Sequence, residues 1–350
     1  MLGSYYANNP QPSKSSKVIL ISGLLVLGII GSVAYLYKSP SSRLISLYEA
    51  EEREFQSFVV TYNKNYDSDQ EYFTRLRVFL DNMAYIRVYN SMDQNLVLGV
   101  GPFADLTSEE FRSRFIPKSI ENTAEPFEDF AGLTAPAQVD WRTKGAVTPV
   151  KDQGQCGSCW SFSATGGMEG AWFLAGHTLV SLSEQQLMDC SGAYGNDGCN
   201  GGFYRQAYSY VIANKGITSE SNYPYTARDG TCNKTKASQF AASISSKVNV
   251  AGDNPTALQN AVAQQPTSVS VEADQPVWQH YTSGTISANC GTNLDHDVLA
   301  VGYDTTASPP YWIVKNSWGT SWGLAGYLQI AISTGKGVCG INMTPGYPVV

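Results

Sequence analysis

Residues 153–160 read Gln153-Gly154-Gln155-Cys156-Gly157-Ser158-Cys159-Trp160, and the segment 158–176 that they open is apolar with helical spacing. Trp160, Phe162, Met168, Ala171 and Trp172 recur along it, and Gly176 supplies a C-terminal stop. Cys159 thus opens a long helix, where free backbone N–H groups and the helix dipole favour a thiolate. A thiolate attacks a carbonyl; a thiol hardly does. Taken alone, a cysteine in such a chain is more often half of a disulfide, so the rest of the sequence has to decide.

Downstream the pattern predicts further helices at 183–190, 205–213 and 254–264, the last bracketed by Pro255 and Pro266. It then turns to strands at 267–272, 297–303, 311–315 and 327–330. Helices followed by antiparallel strands predict an α+β arrangement of two lobes with a cleft between them.

Upstream the chain reads differently. Residues 18–37 (VILISGLLVLGIIGSVAYLY) are uncharged and largely apolar, with Lys14, Lys17 and Lys38 beside them. At ~1.5 Å per residue they match a bilayer's ~30 Å core, as a transmembrane signal anchor or a signal peptide behind a short tail, 1–17. Either exports the remainder to an oxidising lumen. Residues 44–115 carry no cysteine, and Glu71, Arg75, Phe79, Asn82, Ile86 and Asn90 fall on one stripe of a single helix. The run 105–110 (DLTSEE) predicts a capped helix start. Residues 116–134 are acidic and aperiodic and predict a cleavable linker, cut between about Thr123 and Ala135. Glu121, Glu125, Glu128 and Asp129 crowd it, which predicts an acid trigger.

The chain has 350 residues, 43% of them hydrophobic, and a formal net charge of −7 with scattered Lys and Arg, so no nucleic-acid footprint appears. All seven cysteines lie from Cys156 onward, and an odd number leaves at least one thiol outside any disulfide framework. The sequons at Asn233 and Asn342 differ in setting: the first is in a polar loop and is expected to be glycosylated, the second is in an apolar run and is expected to be bare.

Residues 156–160 match the Cys-Gly-Ser/Ala-Cys-Trp/Tyr signature, and here the chain resembles the papain/cathepsin family of cysteine proteases. The resemblance continues through 139–142, 198–202, 295–296 and 316–319, in the family's order. It implies a papain-like two-lobe α+β fold, with a helical left lobe and an antiparallel β-barrel-like right lobe, at 135–350. A helical inhibitory prodomain is implied before it. The activity implied is that of a cysteine endopeptidase, with Cys159 as nucleophile, His296 as base, Asn316 orienting the imidazole and Gln153 helping to hold the oxyanion. Of three histidines, His177 sits in a turn and His280 in a packing segment; His296 begins a strand 137 residues after Cys159, within the family's ~130–150 range. Trp318 matches the indole that shields the imidazole.

The family pattern further implies disulfides Cys156–Cys199, Cys190–Cys232 and Cys290–Cys339. The stripe from Glu71 to Asn90 matches the inhibitory helix of cathepsin L-like enzymes, although Gly101 departs from the motif that follows it. Substrate contacts are implied at Gly201, Gly202, Phe203, Tyr204, Ser270, Asp297, Trp318 and Thr344. Asp297 replaces the usual small residue after the catalytic histidine; it either turns to solvent or reaches the pocket floor and accepts Arg or Lys. A dead homologue would lack the nucleophile or the base. A cathepsin B-like exopeptidase would need a further histidine pair, and a zinc site lacks partner ligands. Cofactors and metals are not implied. Expected partners are protein and peptide substrates, the chain's own propeptide, and a membrane through 18–37, for a monomer in a lysosome, food vacuole or other acidic endomembrane compartment, or secreted.

Overall fold

Apolar residues of the prodomain and of the enzyme share one core. The computed structural model describes residues 40–92, 95–116 and 134–350, so the segment 18–37 and most of the linker, 117–133, lie outside it. Among the described residues no helix is long and apolar enough to cross a membrane. The chain divides into a unit ending at Glu54 and a unit spanning Phe55–Val350.

Helices α1 (Pro40–Thr61) and α2 (Asp69–Met92) precede strand β1 (Leu96–Leu98). On α2 the stripe has two roles. Phe79 and Ile86 are buried with Phe55 and Phe58, whereas Arg75, Asn82 and Asn90 hold the segment that follows and Glu71 accepts from Asp67 N–H and pairs with Arg75. Asn90 Nδ2 and Oδ1 pair with the Leu98 carbonyl and N–H, and Asn82 Nδ2 donates to the Ala104 and Leu106 carbonyls. Arg75 binds the Asp105 carbonyl and the Glu110 carboxylate. Helix α3 (Ser108–Phe115) starts with a capping box in which Thr107 accepts from Glu110 N–H and the Glu110 carboxylate accepts from Thr107 N–H.

The helical lobe comprises α4 (Cys159–Leu174), α5 (Glu184–Cys190), α6 (Tyr204–Asn214) and the short α7 (Lys234–Ala237). Trp160, Met168, Leu187, Tyr208 and Val211 form its core. Helix α4 is buried on nearly all sides, so neighbours approach its backbone closely; a Cβ on Gly170 would lie 2.7 Å from Pro266 Cγ. The structure joins Cys156 to Cys199 and Cys190 to Cys232 in this lobe, and Cys290 to Cys339 in the other.

The second lobe is one sheet of β1, β2 (Gln138–Asp140), β3 (Ser246–Asn249), β4 (Thr267–Val271), β5 (Tyr281–Ile286), β6 (His296–Asp304), β7 (Tyr311–Lys315), β8 (Tyr327–Ala331) and β9 (Gly346–Val349). Its order is β1-β5-β8-β7-β6-β4-β9-β3, with β2 on β6. Helix α8 (Pro255–Gln264) packs on β6, and the one-turn α9 (Pro276–Gln279) leads into β5. Two features depart from the expected antiparallel sheet. Strands β5 and β8 pair in parallel, and the edge strand β1 comes from the prodomain, antiparallel to β5. Strand β5 escapes sequence reading because Gly284 and its Thr and Ser residues break alternation. Strands β3 and β9 are four residues each, and β9 contains Pro348.

Candidate active site

Two element ends from different lobes meet at Cys159. The residue begins α4, and its side chain is fully buried; the other six cysteines are bonded, so it alone keeps a free thiol. His296 begins β6 and is also fully buried. The β4–β6 register sets Val271 opposite His296 and Ser270 opposite Asp297, and Asp297 N–H lies 3.5 Å from Cys159 Sγ.

The hydrogen bonds of His296 fix its tautomer. Its Nε2 is 2.8 Å from Asn316 Oδ1, and the same Oδ1 accepts from Ser317 N–H at 2.8 Å. A backbone N–H can only donate, so the shared atom is an oxygen and Nε2 must carry the imidazole proton. That leaves Nδ1 with its lone pair and no hydrogen-bond partner. Trp318 stacks on the imidazole, centroids 4.8 Å apart, and is itself buried.

Gln153 is oriented by the same logic. Ser317 Oγ donates to its Oε1 at 2.7 Å, and its Nε2 donates to the Cys156 carbonyl at 2.9 Å. The remaining Nε2 proton goes to the carbonyl of Phe115, at the end of prodomain helix α3, at 3.0 Å. A prodomain carbonyl therefore occupies the remaining donor of Gln153. Phe103 and Phe111 meet Trp318 edge to face, Gln279 Nε2 donates to the Phe103 and Leu106 carbonyls, and Arg112 pairs with Asp274 at 2.7 Å. None of these contacts was anticipated. Only the DLTSEE capping signal pointed to α3, and nothing local says what it covers.

Burial sets the protonation of this covered site. It pushes the Cys159 thiol well up, reinforced by the Asp297 charge, and pushes His296 down to about 4 despite its bond to Asn316. Burial thus favours the neutral thiol and the neutral imidazole of the pair. Behind it, Lys151 binds Glu184 at 2.6 Å and Glu169 at 3.3 Å, and Lys315 donates to Thr148. Lys151 lies two residues before Gln153 and Lys315 one before Asn316, so this buried ionic group anchors both arms of the site. Removing one partner of such a buried pair typically costs ~3–5 kcal/mol.

The other expected substrate residues lie nearby. Phe203, Tyr204, Ser270 and Thr344 are buried, and Tyr204 Oη donates to the Thr344 carbonyl. Gly202 passes under Trp160, where a Cβ would come within 2.7 Å of the indole. Asp297 does not turn to solvent. It is 1% exposed, and its carboxylate accepts from Ser270 Oγ at 2.6 Å and from Tyr204 N–H at 3.2 Å. His280 is buried in packing, and His177 stacks on Trp172 away from the site.

Comparison with known proteins agrees with this geometry. Residues 135–349 match the papain family cysteine protease model, and residues 55–111 match the cathepsin propeptide inhibitor domain (I29). The chain belongs to the papain family of cysteine proteases. It is 42% identical over 334 residues to the senescence-specific cysteine protease SAG39 of Oryza sativa subsp. indica, covering 93% of this chain and 98% of that one. It is 40% identical over 343 residues to vignain of Phaseolus vulgaris, covering 95% and 93%. Among solved structures it resembles a recombinant stem bromelain precursor (TM-score 0.81, 36% identity, 86% of this chain and 99% of that one). It also resembles digestive procathepsin L 3 of the Tenebrio molitor larval midgut (TM-score 0.77, 37% identity, 86% and 99%). The protein is a cysteine protease made as a proenzyme, with its propeptide as intramolecular inhibitor.

Proposed function

We propose that Cys159 attacks the scissile carbonyl of a peptide while His296 takes its proton and then gives it to the leaving amine. Water hydrolyses the resulting thioester by the same route in reverse, with His296 as base. Asn316 holds the tautomer, Trp318 shields that bond, and Gln153 with the Cys159 backbone N–H binds the oxyanion, a donor worth ~10²–10³ in rate. The observation that carries this reading is the Ser317 N–H on Asn316 Oδ1, which leaves His296 Nδ1 free to accept a proton. The mature Cys159→Ser variant should keep its fold and hydrolyse no unstructured protein under reducing, mildly acidic conditions; full turnover would overturn the assignment.

The parts are then a tail at 1–17, a membrane anchor or signal at 18–37, the prodomain at 44–115, a linker at 116–134 and the enzyme at 135–350. Delivery to an acidic endomembrane compartment or secretion follows from export and from acid activation; fractionation of cells expressing the full chain tests it. Glycan is expected on exposed Asn233 and absent from Asn342, whose buried amide already donates to the Ser333 and Gly335 carbonyls. Peptide mapping that found glycan on Asn342 would reverse this.

Specificity follows from Asp297. With Phe203, Tyr204, Ser270 and Thr344 it would form the pocket for the residue second from the scissile bond on its N-terminal side. Its inward carboxylate supports acceptance of Arg or Lys.

A further inference from the structure

Strand β4 passes His296 and continues into an acidic corner. On one side of His296 the β4–β6 register sets Ser270 against Asp297; on the other, Asp295 Oδ1 accepts from Ala273 N–H at 2.7 Å, next to Asp274. Burial pushes the Asp295 carboxyl up to about 7, and the neighbouring Asp274 and Glu272 carboxylates add to the rise. Glu272 and Asp295 are buried, whereas Asp274 is partly exposed; Gln275 Nε2 donates to both Glu272 and Asp274, and Asn293 N–H donates to Glu272. The corner is already occupied by a cation. Arg112 of the prodomain sets its guanidinium 2.7 Å from Asp274, one helical turn before the Phe115 carbonyl that sits on Gln153.

We propose that Asp274, backed by Asp295 and Glu272, forms a subsite for a basic side chain immediately C-terminal of the scissile bond, which Arg112 fills in the proenzyme. The inference rests on the proposed roles of His296 and Gln153. If Asp297 lines the N-terminal side of the cleft, the corner across His296 faces the departing half of the substrate. The prodomain then runs against substrate direction, from Arg112 at the Asp274 corner to the Phe115 carbonyl on Gln153. It presents a basic side chain without presenting a cleavable bond. A contact between a mostly covered carboxylate and a largely exposed guanidinium gives a preference of about three- to tenfold.

The test uses mature enzyme and quenched peptides that differ only at the first residue after the scissile bond, Arg against Leu. The Arg-to-Leu ratio of kcat/KM should be three to ten in wild type and fall toward one with Asp274→Asn. In wild type it should also fall as salt rises from low to 0.5 M. Asp274→Lys should invert the preference toward Glu, a gain that a folding defect does not produce. A wild-type ratio near one, or a ratio unchanged in both variants, refutes the subsite while turnover of the Leu peptide leaves the protease reading intact. No turnover of either peptide by wild type would refute the catalytic reading beneath it.

Discussion

Replacing Gln279 by Leu should loosen the prodomain by about 2 kcal/mol. The side chain is fully buried on α9, and its Nε2 donates to the Phe103 carbonyl at 3.0 Å and the Leu106 carbonyl at 2.8 Å. Leu keeps the volume and removes both donors. Neither carbonyl is orphaned, because Phe103 keeps the Leu106 N–H and Leu106 keeps Asn82 Nδ2. The loss is then the net value of two neutral hydrogen bonds, ~1 kcal/mol each, or a roughly 30-fold larger opening constant. Cys159 is inaccessible until the prodomain lifts, so its alkylation rate in the intact proenzyme reports that constant. Labelling should accelerate about 30-fold in Gln279→Leu, while the mature form of the variant labels at the wild-type rate. Adding Asn82→Ala orphans the Leu106 carbonyl, so the double variant should exceed the sum of the two single effects. An acceleration below threefold, or strict additivity, would refute the clamp.

Burial raises the Asp297 carboxyl to about 7, against the opposing bonds from Ser270 and Tyr204. Its charge is therefore gained between about pH 6 and 8, later than an ordinary carboxylate would gain it. The kcat/KM ratio for Arg over Leu at the second residue before the scissile bond should rise about tenfold across that window and stay flat in Asp297→Ala; a rise complete by pH 5 would contradict this. Glu110 is affected by burial, which raises its pKa, but the Arg75 hydrogen bond and the Thr107 N–H outweigh it and hold the carboxyl below its usual value. A depressed folded-state pKa stabilises above the unfolded value and is lost as pH falls through the folded one. The proenzyme's melting temperature should thus exceed that of Arg75→Ala at neutral pH, with the gap closing below about pH 4.5. A gap that widens in acid would reverse the sign.

What could be read from the sequence follows from where each signal resides. Cys159 and the helix it opens carry a local pattern, and the α2 stripe repeats at helical spacing, so both were legible. The purpose of Asn82 and Asn90 was not, because their partners are backbone carbonyls and N–H groups of a segment without a regular pattern. The direction of Asp297 was hidden for a different reason. Strand β6 is buried on both faces from His296 to Tyr303, so a two-residue alternation distinguishes nothing, and only the register with Ser270 shows where the carboxylate points. The Phe115 carbonyl on Gln153 and the β1–β5 pairing join residues far apart in the chain, with no composition signal at either end.

The most direct test of the account is the pH dependence of Cys159 alkylation by iodoacetamide, in proenzyme and mature enzyme, with the labelled residue identified by mass spectrometry. Burial favours the neutral pair in the covered site, whereas the proposed mechanism needs a thiolate beside an imidazolium once the prodomain leaves. Mature enzyme should therefore take one label, on Cys159, at a rate already near its plateau at pH 5–6, and the proenzyme should react far more slowly there. A mature rate that climbs only above pH 8, as for an ordinary thiol, or a label on another residue would contradict it.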